Sequence, residues 1–164
     1  MILKVLLYAL LTVVIVALLI TAVGYALPQD HVAAVDENVP AAPAEVFARI
    51  SDVSRYPEWR RDVSKVELLA SNPLQWREHA GGDVITYEVV ESRPPERFVV
   101  RIADPALPFG GSWTYELRPE GSGTHLVITE RGEVYNPIFR FVGRFFMSPT
   151  ATMEKYVEAL RTSF

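Results

Sequence analysis

Two acids stand where acids are costly. Glu78 and Glu130 each end an alternating apolar series, Leu74, Trp76, Glu78 in one segment and Leu126, Ile128, Glu130 in another. A carboxyl desolvated in such a place has a raised pKa, and can act as a general acid or bind a polar group of a ligand. Tyr87, on the inward parity of a third segment, is the partner for acid–base work, so Glu78, Glu130 and Tyr87 are the candidates for catalysis. The competing reading is structural: strand ends lie near water, and Arg77, Arg101 or Arg131 can pair with either acid. His31, His79 and His125 are far apart and form no H-x-H or H-E-x-x-H pair, and the chain has no cysteine, so no metal site and no thiolate nucleophile are expected. There is no G-x-S-x-G elbow, P-loop or dinucleotide fingerprint; Gly121-Ser122-Gly123 reads as a hairpin turn. No cofactor is implied.

These side chains need a sheet to hold them. From Val63 to Val134 the pattern has period two, broken at Ser71-Asn72-Pro73, Gly81-Gly82, Arg93-Pro94-Pro95, Pro108-Phe109-Gly110-Gly111 and Glu120-Gly121-Ser122-Gly123. Six strands fit, over 63–70, 74–80, 83–91, 96–103, 112–119 and 124–133, and connections this short join antiparallel neighbours. In such a meander the segments bearing Glu78 and Glu130 run the same way, so both acids approach one end of the sheet. The inward parity also carries Trp76, Phe98, Trp113, Tyr115 and Ile128. These either line a cavity or fill a core, with Arg101 a further candidate to hold a polar head.

Before the meander, Val32–Val39 suggests a strand, Pro43 opens a helix with Val46, Phe47 and Ile50 on one side, and Tyr56-Pro57-Glu58-Trp59 suggests a second short helical turn. After it, Asn136 caps a helix with Pro137 at its first position and Ile138, Phe141, Val142 and Phe145 at helical spacing. Ser148-Pro149 kinks or restarts that helix, and Met153, Tyr156, Val157 and Leu160 carry it to the C-terminus, covering the sheet. Phe141 and Phe145 thereby join the candidate ligand-binding set, while Arg140 and Arg144 form a solvated face.

The 164 residues suit one domain, and 16 Lys+Arg against 20 Asp+Glu argue against a nucleic-acid binder, whose affinity comes from neutralising phosphate. Val5–Leu27 is an uncharged run that as a helix reaches about 34 Å, enough for a bilayer core of roughly 30 Å. It reads as a membrane anchor over 1–28, the rival being a signal peptide, with a globular domain over 29–164. Lys4 before the run and Asp30, Asp36 and Glu37 after it place the N-terminus in the cytoplasm and the domain on the extracytoplasmic side.

Strand, two short helices, six-stranded meander and terminal helix make an α+β helix-grip order. The run Ala42-Pro43-Ala44-Glu45-Val46-Phe47-Ala48-Arg49-Ile50-Ser51-Asp52, then Tyr56-Pro57-Glu58-Trp59, resembles the opening of the START/birch-pollen-allergen superfamily in its polyketide cyclase/dehydrase-like branch. Pro94-Pro95-Glu96-Arg97, Gly111-Ser112-Trp113-Thr114, and Gly123-Thr124-His125-Leu126 with Thr129-Glu130 extend the resemblance over 32–164. It implies a curved sheet of about seven strands gripping the last helix round a hydrophobic cavity, but no shared catalytic set. Three functions stay open. One is a membrane-tethered binding or carrier domain for a hydrophobic small molecule or lipid. Another is an enzyme of cyclase or dehydratase type using a pocket carboxylate and tyrosine. The third is an envelope protein-interaction module. In the first, the cavity mouth faces the membrane, with Leu107, Pro108, Phe109, Phe139 and Phe146 at the interface.

Overall fold

The structure is a computed structural model describing residues 1–164. Its first element is α1 (Ile2–Ala26), a helix of 25 residues exposed along nearly its whole length. It is long and apolar enough to cross a membrane, a property that membrane spans and signal sequences share. Leu27–Gln29 lead into β1 (Asp30–Val39), then α2 (Pro43–Ser51), a 3-10 turn (Val53–Arg55) and α3 (Tyr56–Trp59). The meander follows: β2 (Val63–Ser71), β3 (Leu74–Ala80), β4 (Asp83–Arg93), β5 (Arg97–Ile102), β6 (Phe109–Glu120) and β7 (Gly123–Val134). Two helices close the chain, α4 (Pro137–Phe146) and α5 (Ala151–Arg161).

The seven strands form one antiparallel sheet in the order β1-β7-β6-β5-β4-β3-β2, with β1 closing against β7 from Asp30↔Glu133 to Val39↔Thr124. The helix-grip architecture expected from the element order is present. Alternation sends Trp76, Phe98, Tyr115, Leu117, Leu126 and Ile128 to the concave face, all buried. Against them pack Val46, Phe47 and Ile50 of α2 and Met153, Tyr156, Val157 and Leu160 of α5. Pro43 starts α2, where its missing N–H is no loss, and the Glu45 carboxylate accepts from Ala42 N at 3.1 Å.

One expectation is corrected. The strand expected from 112 begins at Phe109, because Gly110 and Gly111 continue the pairing with β7 rather than turning out of it. Gly111 has φ +130°, and a Cβ there would overlap the Arg131 carbonyl, so glycine allows both the conformation and the approach of the strands. At Ser148-Pro149 the terminal helix restarts, one of the two outcomes expected there, so it is two helices. Met147 is extended, Pro149 has no N–H to continue a helical ladder, and the chain restarts at Ala151. Only α5 is gripped. The start of α4 is as expected: Asn136 Oδ1 accepts from Ile138 N at 2.9 Å and Phe139 N at 3.3 Å. Yet α4 buries none of its residues and packs chiefly against the end of α1.

Candidate functional site

Glu78 lies on β3 two residues from the strand end, opposite Val66 and Ile85. Its side chain is only 5% exposed, and its partner is Arg60, whose Nη1 stands 2.9 Å from Glu78 Oε1. Arg60 also donates from Nη2 to Asp62 Oδ2 at 2.7 Å. The pair is roofed by rings, with Arg60 Cζ 5.2 Å from the Tyr56 centroid and 5.3 Å from that of Tyr156. Tyr156, from α5, touches Trp59 at 5.3 Å, Tyr115 at 5.5 Å, Trp113 at 5.8 Å and Tyr56 at 6.4 Å between centroids. On the sheet side Trp76 stacks on Tyr87, its cross-strand partner, at 5.4 Å.

This cluster leaves polar atoms unused. Trp59 Nε1 and Arg60 Nε are buried with no hydrogen-bond partner, while Trp76 Nε1 and the Tyr156 hydroxyl make no hydrogen bond of good geometry but lie near Glu78 and near Tyr56 and Tyr115. Each unpaired group costs on the order of 1–3 kcal/mol unless something pairs with it.

The electrostatics follow from burial. Desolvation pushes the Glu78 carboxyl above the ordinary carboxylate range, with Arg60 pulling it back only in part. Burial opposes the charge on Arg60, but Glu78 and Asp62 more than offset it and the guanidinium stays protonated. Tyr87 is raised by burial and, further, by the negative charges of Glu78 and Glu130. Burial likewise raises Tyr56, Tyr115 and Tyr156, so the cluster holds phenols and not phenolates. It can donate hydrogen bonds, and Glu78 can exchange a proton.

Among the residues picked out by pattern, Trp76, Glu78 and Tyr87 come together on β3 and β4. Phe98, Tyr115 and Ile128 are buried in the adjoining core, and Trp113 is half-buried at its edge. Glu130 reaches the same end of the sheet but sits four strands from Glu78, accepting from Trp113 Nε1 at 3.0 Å and lying 3.3 Å from His31 Nε2. The arginines considered as partners are engaged elsewhere or exposed. Arg77 is 3.5 Å from Glu67, and Arg131 faces solvent. Arg101, expected to hold a polar head, occupies the outward parity of β5, is 57% exposed and bonds Glu88 at 2.8 Å on the convex face. It cannot reach the interior. Phe141 and Phe145 are also displaced from the expected set: both lie on α4, and Phe145 is 58% exposed. The physical reason is the break at 147–150, which gives α5 alone to the sheet.

Where the hollow is expected, the rings of Tyr56, Trp59, Trp113, Tyr115 and Tyr156 are in mutual contact. Two depressions, of about 340 and 320 Å³, are polar and superficial, the first lined by Arg93, Glu96, Arg97 and Glu116 and the second by Glu45, Arg49, Asp52 and Arg55. Neither includes an aromatic of the concave face. No group of three or more His, Asp or Glu side chains is placed to hold a metal ion. Sequence reasoning missed Arg60, Trp59, Tyr56 and Tyr156 as site residues. Trp59 and Tyr56 signalled themselves only as two aromatics in one short turn, and Tyr156 only as part of an apolar stripe. Arg60 gave no signal, because a strand remote in sequence creates its environment.

The family described as "Polyketide cyclase / dehydrase and lipid transport" matches residues 31–163. A START superfamily protein from Mycobacterium smegmatis superposes with TM-score 0.64 at 19% identity, over 81% of this chain and 96% of its own. The Zhui aromatase/cyclase from a Streptomyces species gives 0.64 at 15%, over 82% and 93%. A protein from Thermus thermophilus gives 0.62 at 24%, over 79% and 91%. At these identities the likeness is one of fold. No curated protein matches the chain.

Proposed function

Starting from a chain that belongs to the polyketide cyclase/dehydrase and lipid transport family, we propose a membrane-tethered domain that binds an apolar small molecule or lipid bearing a neutral oxygen acceptor. The observation that carries this is the set of unpaired buried groups round Arg60 and Glu78. Trp59 Nε1 and Arg60 Nε can only donate, so their missing partner is an acceptor. Arg60 is already balanced by Glu78 and Asp62, and a further anion would be left uncompensated in an apolar surround. A carbonyl, ether or hydroxyl oxygen fits; a carboxylate does not. The aromatic walls bury the rest of the molecule at about 25 cal/mol per Å². Because the rings are in contact, a guest enters by displacing them.

Tethering is part of the same reading. Helix α1 spans the bilayer from a cytoplasmic N-terminus, and the three residues Leu27–Gln29 hold the start of β1 within about 14 Å of its end. That sheet end also carries Glu78, Arg60 and the 103–108 loop.

The chain's three tryptophans all belong to the site, so their fluorescence reports occupancy directly. Full-length protein in maltoside micelles is titrated with a long-chain methyl ketone, the alkane of equal length and the corresponding carboxylate. The ketone is expected to shift the emission and saturate, the alkane to bind at least tenfold more weakly, roughly the loss of one buried hydrogen bond. Equal responses to all three, or none, sink the reading. A second reading, acid–base catalysis, is favoured by the raised Glu78 carboxyl beside Tyr87. Glu78→Gln distinguishes the two: a carrier keeps its ketone titration, whereas an enzyme loses turnover.

A further inference from the structure

Helix α4 presents an apolar face that nothing in the protein covers. Ile138, Phe139, Val142, Phe145 and Phe146 are exposed, from 39% at Val142 to 76% at Phe146, and Met147 follows at 66%. At about 3.6 residues per turn they and Phe141 fall on one side of the helix, and Pro137, Arg140 and Arg144 on the other. A contiguous patch of this kind marks an interaction surface.

The opposite edge of α4 identifies the occupant. In α1 and the residue after it, only Ile20, Thr21, Gly24 and Leu27 are withdrawn from full exposure, a spacing that makes one helical stripe, and α4 is the element packed there. Gly24 lies against the backbone of Pro137, and a Cβ at that position would overlap the Pro137 carbonyl. Arg140 fastens the junction, donating from Nη1 to Leu27 O and from Nη2 to Tyr135 O, both at 3.1 Å. Helix α1 rises about 10 Å between Ile20 and Leu27. So α4 runs beside the last turns of a helix long enough to span a bilayer, and what surrounds those turns surrounds α4.

Resting on the membrane-spanning reading of α1, we propose that α4 is an interfacial helix whose apolar face enters the lipid leaflet in which α1 ends. Acyl chains cover Ile138, Val142, Phe145 and Phe146, and Arg144 on the opposite edge stays among the headgroups. Thr21 and Gly24 give the close helix contact that small residues provide in lipid. The consequence reaches the site: Tyr135, just ahead of α4, donates its N–H to Pro108 O at 2.9 Å, so an inserted α4 brings the 103–108 loop and the adjoining sheet end to the membrane. An apolar molecule then passes between leaflet and domain without crossing water.

The chain has no cysteine, so single nitroxide labels can be placed without removing any. Full-length Val142→Cys, Phe145→Cys and Phe146→Cys are labelled in nanodiscs of phosphatidylethanolamine and phosphatidylglycerol, with Val13→Cys in α1 and Lys155→Cys in α5 as references. Collision rates with oxygen and with a nickel chelate are measured. The α4 labels are expected about 5–10 Å below the headgroup boundary, oxygen-accessible and chelate-protected. The inference is overturned if the Val13 label is deep while the α4 labels meet the chelate as freely as Lys155. It is equally overturned if the α4 labels are shielded from both reagents, since another protein surface then covers them. A Val13 label open to the chelate removes the membrane span itself, and the tether with it.

Discussion

Helices α4 and α5 are consecutive, similar in length and alike in the spacing of their apolar residues, yet they meet opposite fates. The second buries Met153, Tyr156, Val157 and Leu160 against the sheet, and the first buries nothing. The spacing identifies a face; it does not say what will cover it. What decides is the four-residue break at 147–150, which frees the two helices to choose different partners, together with the aromatic site that Tyr156 completes. Arg60→Met leaves Glu78 buried and unpaired beneath α5, and we expect a loss of about 3–5 kcal/mol in urea unfolding followed by tryptophan emission. The double variant with Glu78→Gln should recover much of it. A loss below about 1 kcal/mol for the single variant would place the pair effectively in water.

Leu160 is fully buried on α5. Leu160→Ala should cost about 2–5 kcal/mol in the same assay, because the removed atoms leave a cavity between helix and sheet. A cost typical of a surface position would mean that α5 does not grip the sheet, and the contrast with α4 would vanish.

A smaller effect tests the electrostatics beneath α5. Burial holds the folded Glu78 carboxyl above its unfolded value, so within the window between the two the folded chain binds the proton more readily. The stability this group contributes is complete below the unfolded value and is lost as pH rises through the folded one. The stability of Glu78→Gln relative to the parent should therefore increase with pH across that window, by at most about 1.4 kcal/mol per pH unit. The opposite slope would mean that Arg60 outweighs desolvation.

These tests also mark where sequence was informative. Period-two alternation placed Trp76, Tyr115 and Ile128 on the concave face, because one residue of slippage would turn every side chain of a strand outward. Asn136-Pro137 and Ala42-Pro43 marked helix starts through local backbone chemistry, which needs no tertiary information. Glu78 was legible as an acid continuing an apolar series. Its partner was not, because Arg60 follows a four-residue helix in a turn without periodicity and meets Glu78 only once β2 and β3 have paired. Arg101 shows the converse: its neighbours Phe98, Val100 and Ile102 set the inward parity, and that parity turns Arg101 outward to Glu88. Phe141 and Phe145 were misplaced because helical spacing looks the same whether sheet or lipid lies beyond it.

The smallest expected effect sharpens the contrast between the two helices. Phe145 is 58% exposed, so Phe145→Ala removes little packing from the folded domain and should change the unfolding free energy by no more than about 0.5 kcal/mol. The same substitution at a buried aromatic costs about 3–5 kcal/mol. On the interfacial reading of α4, Phe145 gains free energy by leaving water for the leaflet and not by packing in the folded domain. If Phe145→Ala destabilises the domain as strongly as Leu160→Ala does, α4 is folded against protein, and the two helices differ in nothing but position along the chain.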